Sequence, residues 1–199
     1  VWDLIDVQQT ENDGIKLTLS LSPDPKDEPL WHCAYSLKMV IEIGEQLTLS
    51  LTTENLDKES FVISQALHTY FAVGNIEKTQ VRGLSNHHYL DKVENFREKL
   101  QAGEIVFNGE TDRVYLNSPD KLFIEDTDWA RRIVVESSGS NTTIVWNPWD
   151  KVSTLKDMTD DSYQYFVCVE TANAANNSIS LAPGETHTIS AGYRIMPLG

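Results

Sequence analysis

Positive charge is the first thing this 199-residue chain has little of. Sixteen Lys and Arg against 30 Asp and Glu leave a net charge of −14. A surface of that sign repels nucleic acid and anionic lipid, and the densest basic point, Arg131–Arg132, follows Asp126 and Asp128. Long hydrophobic runs are missing as well. No stretch approaches the roughly 18 apolar residues of a membrane-spanning helix. Cysteine occurs twice, at Cys33 and Cys168, both in apolar runs. That usage fits two free thiols in the reducing cytoplasm and leaves a single disulfide open.

The chain also lacks a Gly-rich phosphate loop, a GxSxG nucleophile elbow and any Cys/His pair at metal-ligand spacing. His87 and His88 are adjacent, so on a strand they point to opposite faces and cannot chelate one ion, while His32 and His187 are isolated. The acidic clusters "DPKDEP" (from Asp24) and "DMTDD" (from Asp157) do not have calcium-loop spacing and read as solvated turns. The expectation is no metal and no cofactor. Helical periodicity is thin: "YLDKVENFREKL" from Tyr89 and "KVSTLKDM" from Lys151 suit a turn or two each.

What remains is alternation of apolar and polar residues, the period of a half-buried strand. With 40% hydrophobic residues the chain can build a sizeable core. "IKLTLSLS" follows the turn "NDG", and "AYSLKMVIEI" meets "QLTLSLTTE" across Gly44-Glu45 as a hairpin. "RIVVESSGSNTTIVW" reads as a second hairpin turning at Ser138–Ser140, and "SISLAPGETHTISAGYRIM" as a third with Pro183-Gly184 at its corner. Nothing resembling a linker or repeat interrupts residues 1–199. They predict one all-β, antiparallel sandwich domain of two large sheets. The opening "VWDLIDV" is already strand-like and has no methionine, so the chain reads as the remainder of a longer protein.

Three acid–base side chains stand out. His68 lies in the strand-like run "SQALHTYFAVGNI", on one face with Ala66 and Tyr70 by the two-residue period. Glu170 ends the apolar run of "YFVCVETAN", where a buried carboxylate is costly and raises its own pKa. Asp112 sits in "GETDRVYL" beside Arg113, and "VWNPWDK" supplies Trp146, Asn147 and Trp149. Each has a bland alternative: a core histidine, a strand-end glutamate in water, an outward ion pair, ordinary core tryptophans. Together they make the inventory of a proton-transfer enzyme.

The motifs "ALHTYF", "TDRVY", "VWNPW" and "CVETAN", in this order, resemble the aldose 1-epimerase superfamily, and its glucose-6-phosphate 1-epimerase branch most closely. "YLDKVENFREKLQAGEIVF" is similar to the segment joining the histidine and aspartate motifs of that branch. The resemblance implies a β-supersandwich of the galactose mutarotase type and cofactor-independent interconversion of the α and β anomers of a hexose 6-phosphate. It implies that His68 is the general acid and Glu170 the general base, and that Asp112, Trp146 and Asn147 contact the sugar. The family's "GG-PxxFP"-type and "HGFAR"-like segments, which carry its phosphate-binding arginines, precede the strand resembled by "VWDLIDV" and are not in this chain. The chain therefore resembles the C-terminal two-thirds of such a domain, N-terminally incomplete. The chemistry requires an ionised Glu170 and a protonated His68, so the imidazole pKa is expected to be lifted toward 7 by carboxylates such as Asp112. The alternatives are an aldose 1-epimerase for unphosphorylated sugars and a non-catalytic carbohydrate-binding β-sandwich module. A glycoside hydrolase would need Asp112 and Glu170 as its carboxyl pair, and leaves His68 idle.

Overall fold

The computed structural model describes residues 1–11, 13–23 and 31–198, so "DPKDEP" and Asn12 of the "NDG" turn lie outside the described residues. Among those described, every helical segment is a short 3₁₀ turn and the rest of the regular structure is strand. Four strands form a meander: β1 (Asp3–Gln9), β2 (Ile15–Leu21), β3 (Tyr35–Ile43) and β4 (Leu47–Asn55). Then come β5 (Phe61–Ile63), β6 (Gln65–Leu67), β7 (Tyr70–Ala72), β8 (Thr79–Arg82), β9 (His88–Asp91), β10 (Arg97–Leu100) and β11 (Ile105–Val106). The last seven are β12 (Thr111–Leu116), β13 (Lys121–Asp126), β14 (Arg131–Ser138), β15 (Thr142–Asn147), β16 (Phe166–Asn173), β17 (Ile179–Leu181) and β18 (Thr186–Pro197).

All pairings are antiparallel. A nine-stranded sheet runs β1-β2-β3-β4-β18-β14-β13-β8-β11, and a seven-stranded sheet runs β10-β9-β12-β15-β16-β6, with β7 also on β16. Apolar positions one apart in period two fill the space between them. Val81, Ile124, Val135 and Ile189 of the larger sheet meet Leu67, Phe71, Tyr115, Val145, Val167 and Val169 of the smaller. Burying such side chains stabilises the fold by about 1.5–3 kcal/mol each. Strand β16 is buried along its whole length, which is why "FVCVETAN" reads as a nearly continuous apolar run.

The β3–β4 hairpin forms as the sequence suggests, closed by Gly44 N donating to Gln46 O. The other two predicted hairpins do not. β14 pairs with β13 and β18 in the larger sheet, while β15 pairs with β12 and β16 in the smaller. The turn between them carries the chain from one sheet to the other. Gly139 makes that corner with φ +70°, and a Cβ there would fall 2.0 Å from Thr188 O. Its carbonyl accepts from Asn173 Nδ2 and lies 2.9 Å from His187 Nε2, which gives His187 a place in the fold. Likewise β17 pairs with β5, and β18 joins the larger sheet instead.

The segment Tyr89–Leu100 is a hairpin of β9 and β10, not a helix. Asn95 and Phe96 adopt φ of 53° and 61°, and Asp91 holds the turn through Val93 N and Lys99 Nζ. Local side-chain bonds of this kind outcompete a marginal helical pattern. "KVSTLKDM" does begin within a helical turn, a 3₁₀ segment over Trp149–Thr154.

Candidate active site

The break between β6 and β7 positions His68. Both strands pair with β16 in one continuous register, Leu67 opposite Thr171 and Tyr70 opposite Cys168, which leaves His68 across from Glu170. His68 is therefore not inside a strand, as its run suggested, but in a two-residue interruption. Thr69 N donates to Leu67 O, and the Thr69 hydroxyl hydrogen-bonds Tyr193 Oη on the other sheet at 2.6 Å. With Thr69 pinned inward, His68 faces out.

On the same outer face the neighbouring strands bring in the other groups. Trp146 stands opposite Cys168 on one side and Asp112 on the other, and Lys92 N closes the next step by donating to Asp112 O. His68, Lys92, Asp112, Ile144, Trp146 and Glu170 line one cleft of about 340 Å³. His68 Nε2 lies 3.3 Å from Glu170 Oε1, the imidazole half exposed and the carboxyl only 4% exposed. Tyr70 stacks on the His68 ring at 4.9 Å and 13°, and the Trp146 indole meets it edge-on at 5.7 Å. Asp112 Oδ2 pairs with Lys92 Nζ at 2.8 Å, and its buried Oδ1 has no partner.

Electrostatically the pair is the reverse of the expectation. Burial, together with the Asp112 charge, pushes the Glu170 carboxyl up to about 7, with Lys92 working against them. Burial also lowers the His68 imidazole below its ordinary value, aided by Lys92 and opposed by Asp112. Desolvation disfavours both charged forms, and a single carboxylate already tied to a lysine does not overcome it. Between the lowered His68 value and about pH 7 the pair thus holds one proton between two atoms 3.3 Å apart.

Asn147 does not reach the cleft. It alternates to the face opposite Trp146, is fully buried, and donates to Tyr163 O and Phe166 O while accepting from Trp149 N. Trp149 packs on Tyr163 and the core. Two cleft-side residues escaped the sequence reading. Lys92 was hidden in the segment read as helical, and Cys168 was read as a free thiol in an apolar run. The prediction of no metal rested on spacing along the chain, yet the fold brings donor atoms of His68, Cys168 and Glu170 within 4.8 Å of one another. Both cysteines are free. Arg82 and Arg132 pair with Glu125, and Arg131 with Asp126. Arg113 instead lies over the Tyr89 ring and donates to Gln101.

Two antiparallel sheets with an acid–base pair and an indole in an open cleft on one outer face define a mutarotase-like fold. The family comparison agrees: the aldose 1-epimerase family profile matches residues 1–194, and the chain belongs to that family. A Cenchrus ciliaris protein named "Putative glucose-6-phosphate 1-epimerase" is 37% identical over 184 residues, 87% of this chain and 55% of its own length. An Escherichia coli K12 protein of the same name is 36% identical over 82% of this chain and 54% of its own length. A solved structure of a "putative mutarotase (YeaD)" from Salmonella typhimurium superposes with a TM-score of 0.89 at 28% identity, over 98% of this chain and 65% of that one. The chain thus spans about half the length of the curated relatives it matches.

Proposed function

We propose that this chain carries the acid–base centre of a cofactor-independent hexose-6-phosphate mutarotase, a glucose-6-phosphate 1-epimerase. The observation that carries this is the His68–Glu170 pair, 3.3 Å apart in a cleft wide enough for a pyranose ring. Anomer exchange opens a hemiacetal: one group takes the proton from the anomeric hydroxyl while another delivers one to the ring oxygen. After the aldehyde rotates, the same two groups reclose the ring with their protonation exchanged. A pair sharing one proton is the required starting state, whichever of its members holds it. Each positioned proton-transfer group contributes about 10²- to 10⁴-fold. Asp112, on the cleft lining, is the carboxylate for a sugar hydroxyl, and Trp146 offers an apolar face to the ring.

The names of the relatives support a phosphorylated substrate. A mutarotase for unphosphorylated aldoses is the second reading, favoured by the charge of the cleft, where Lys92 is the one cation among the described lining residues and is already paired with Asp112. The two free thiols support a reducing, cytoplasmic setting, and no described helix is long and apolar enough to cross a membrane. Magnetisation-transfer NMR on glucose 6-phosphate and on glucose tests both readings. Exchange should accelerate with the phosphate ester, and Glu170→Gln or His68→Asn should each slow it by about 10²-fold or more. Normal exchange in either variant rules out the role given to that residue.

A further inference from the structure

Acid–base chemistry leaves Cys168 unused, although its position is as deliberate as that of Glu170. The two side chains are two residues apart on β16 and so share the cleft face, and His68 stands directly across from Glu170. Cys168 is fully buried between the rows of Tyr70 and Trp146. Burial and the Glu170 charge hold its thiol protonated. Its Sγ, a ring nitrogen of His68 and a Glu170 oxygen all lie within 4.8 Å of one another.

That triangle has the dimensions of a metal face. With Zn–N of about 2.0–2.1 Å and Zn–O of about 2.0–2.2 Å, a tetrahedral zinc has an N···O edge of about 3.3–3.5 Å. His68 Nε2 and Glu170 Oε1 are 3.3 Å apart before any ion is considered. The sulfur, within 4.8 Å of both, would have to approach to complete the face. A nitrogen, a sulfur and an oxygen suit Zn²⁺ or Co²⁺ and do not suit Mg²⁺ or Ca²⁺, which take oxygen ligands. Charge balance favours a dication. A dication on one thiolate, one carboxylate and one neutral imidazole gives a site of zero net charge, which a buried position tolerates. A fourth ligand would come from the cleft side, which His68 and Glu170 line.

We propose that His68, Cys168 and Glu170 form a three-ligand site for a thiophilic divalent cation, zinc above all, and that its occupation and sugar turnover exclude each other. Binding releases the thiol proton of Cys168 and the proton held by the His68–Glu170 pair. It consumes the lone pairs that proton transfer needs, so zinc is a reversible inhibitor competitive with the sugar. The inhibition rests on the acid–base reading above; the metal binding does not.

Cobalt(II) titrated into the reduced protein separates the two. One equivalent should produce the visible bands of four-coordinate cobalt and a near-ultraviolet thiolate-to-cobalt charge-transfer band, and Zn²⁺ should displace both. The chain has two cysteines, so the sulfur is assignable. Cys168→Ser should abolish the charge-transfer band and weaken zinc binding by at least about 10-fold, whereas Cys33→Ser should keep it. His68→Asn alters a half-exposed side chain, so it tests the site even if Cys168→Ser folds poorly. It should shift the visible bands and weaken binding comparably. A wild-type protein without the charge-transfer band, or a band that survives Cys168→Ser, overturns the site. Zinc that binds with these signatures yet leaves anomer exchange untouched overturns the exclusion.

Discussion

The two faces of the seven-stranded sheet are made of the same strands and use them in opposite ways. Alternate residues of β6, β7, β15 and β16 go to one face or the other: Leu67, Phe71, Val145, Val167 and Val169 inward, His68, Tyr70, Trp146, Cys168 and Glu170 outward. The inner face is apolar and meets the other sheet. The outer face concentrates polar and aromatic groups on a support that cannot move without disturbing the core. Rigidity for proton transfer is therefore inherited from packing, and a substitution should reveal its face by what it damages.

The sharpest contrast is between neighbours on β7. Phe71→Ala, inside, should cost about 3–5 kcal/mol of stability, read by chemical denaturation. Tyr70→Ala, one position away and 47% exposed, should cost far less and instead slow anomer exchange by freeing the His68 ring. Equal losses of stability in the two variants would break the division between faces.

Next in size is a pH effect confined to the outer face. The folded-state pKa of Glu170 is raised to about 7 from an ordinary 4.5, so the folded protein binds the proton more tightly than the unfolded chain. Stability from this group is fully present at or below pH 4.5 and is lost as the pH rises through about 7. The loss is on the order of 3 kcal/mol. His68, with a lowered pKa, works oppositely below its ordinary 6.5, so the comparison should be made between wild type and Glu170→Gln. The variant should gain on wild type from pH 5 to about pH 7 in urea denaturation and hold a constant difference above it. A difference that is constant from pH 5 upward would show that Glu170 ionises normally.

Asn147 sharpens the comparison on a smaller scale. It was grouped with Trp146 as a sugar contact, yet adjacent residues of a strand face opposite ways, and Asn147 is saturated by three hydrogen bonds within the fold. Asn147→Ala should cost about 1–3 kcal/mol by leaving two carbonyls unpaired, with KM for the sugar unchanged. A raised KM at preserved stability would return Asn147 to the site.

That example marks how far the sequence was legible. Period-two alternation located most strands and the β3–β4 hairpin, because a half-buried strand writes its own pattern. It did not show which strands pair. Ser138–Ser140 and Pro183-Gly184 are turns in either case, and only the Gly139 approach to Thr188, a contact between distant segments, makes the first a corner between sheets. His68, Glu170 and Asp112 were legible as polar residues with no apolar reason for their places. Lys92 was not, since its turn is set by left-handed Asn95 and Phe96 and by the carboxylate of Asp91. The protonation order was missed for another reason: burial, the largest cause at both groups, disfavours the charged form of each.

Lys92 carries the smallest and most directional prediction. The pair works with one proton bound, so the pH profile of kcat/KM should be a bell, with its alkaline limb near the Glu170 value of about 7 and its acid limb at the lowered His68 value. Asp112 raises both values and Lys92 lowers both. Removing Asp112 as Asp112→Asn leaves the Lys92 charge uncompensated, so both limbs should move to lower pH. Lys92→Met leaves the Asp112 charge uncompensated, and both limbs should move to higher pH. The width of the bell should change less than its position, since each substitution acts on the two groups in the same sense. Asp112→Asn should also weaken sugar binding through the loss of the carboxylate charge on the cleft lining, which a rise in KM would report separately from the shift. Limbs that move in opposite directions, or not at all, would mean that the Lys92–Asp112 pair does not set the electrostatics of the His68–Glu170 pair.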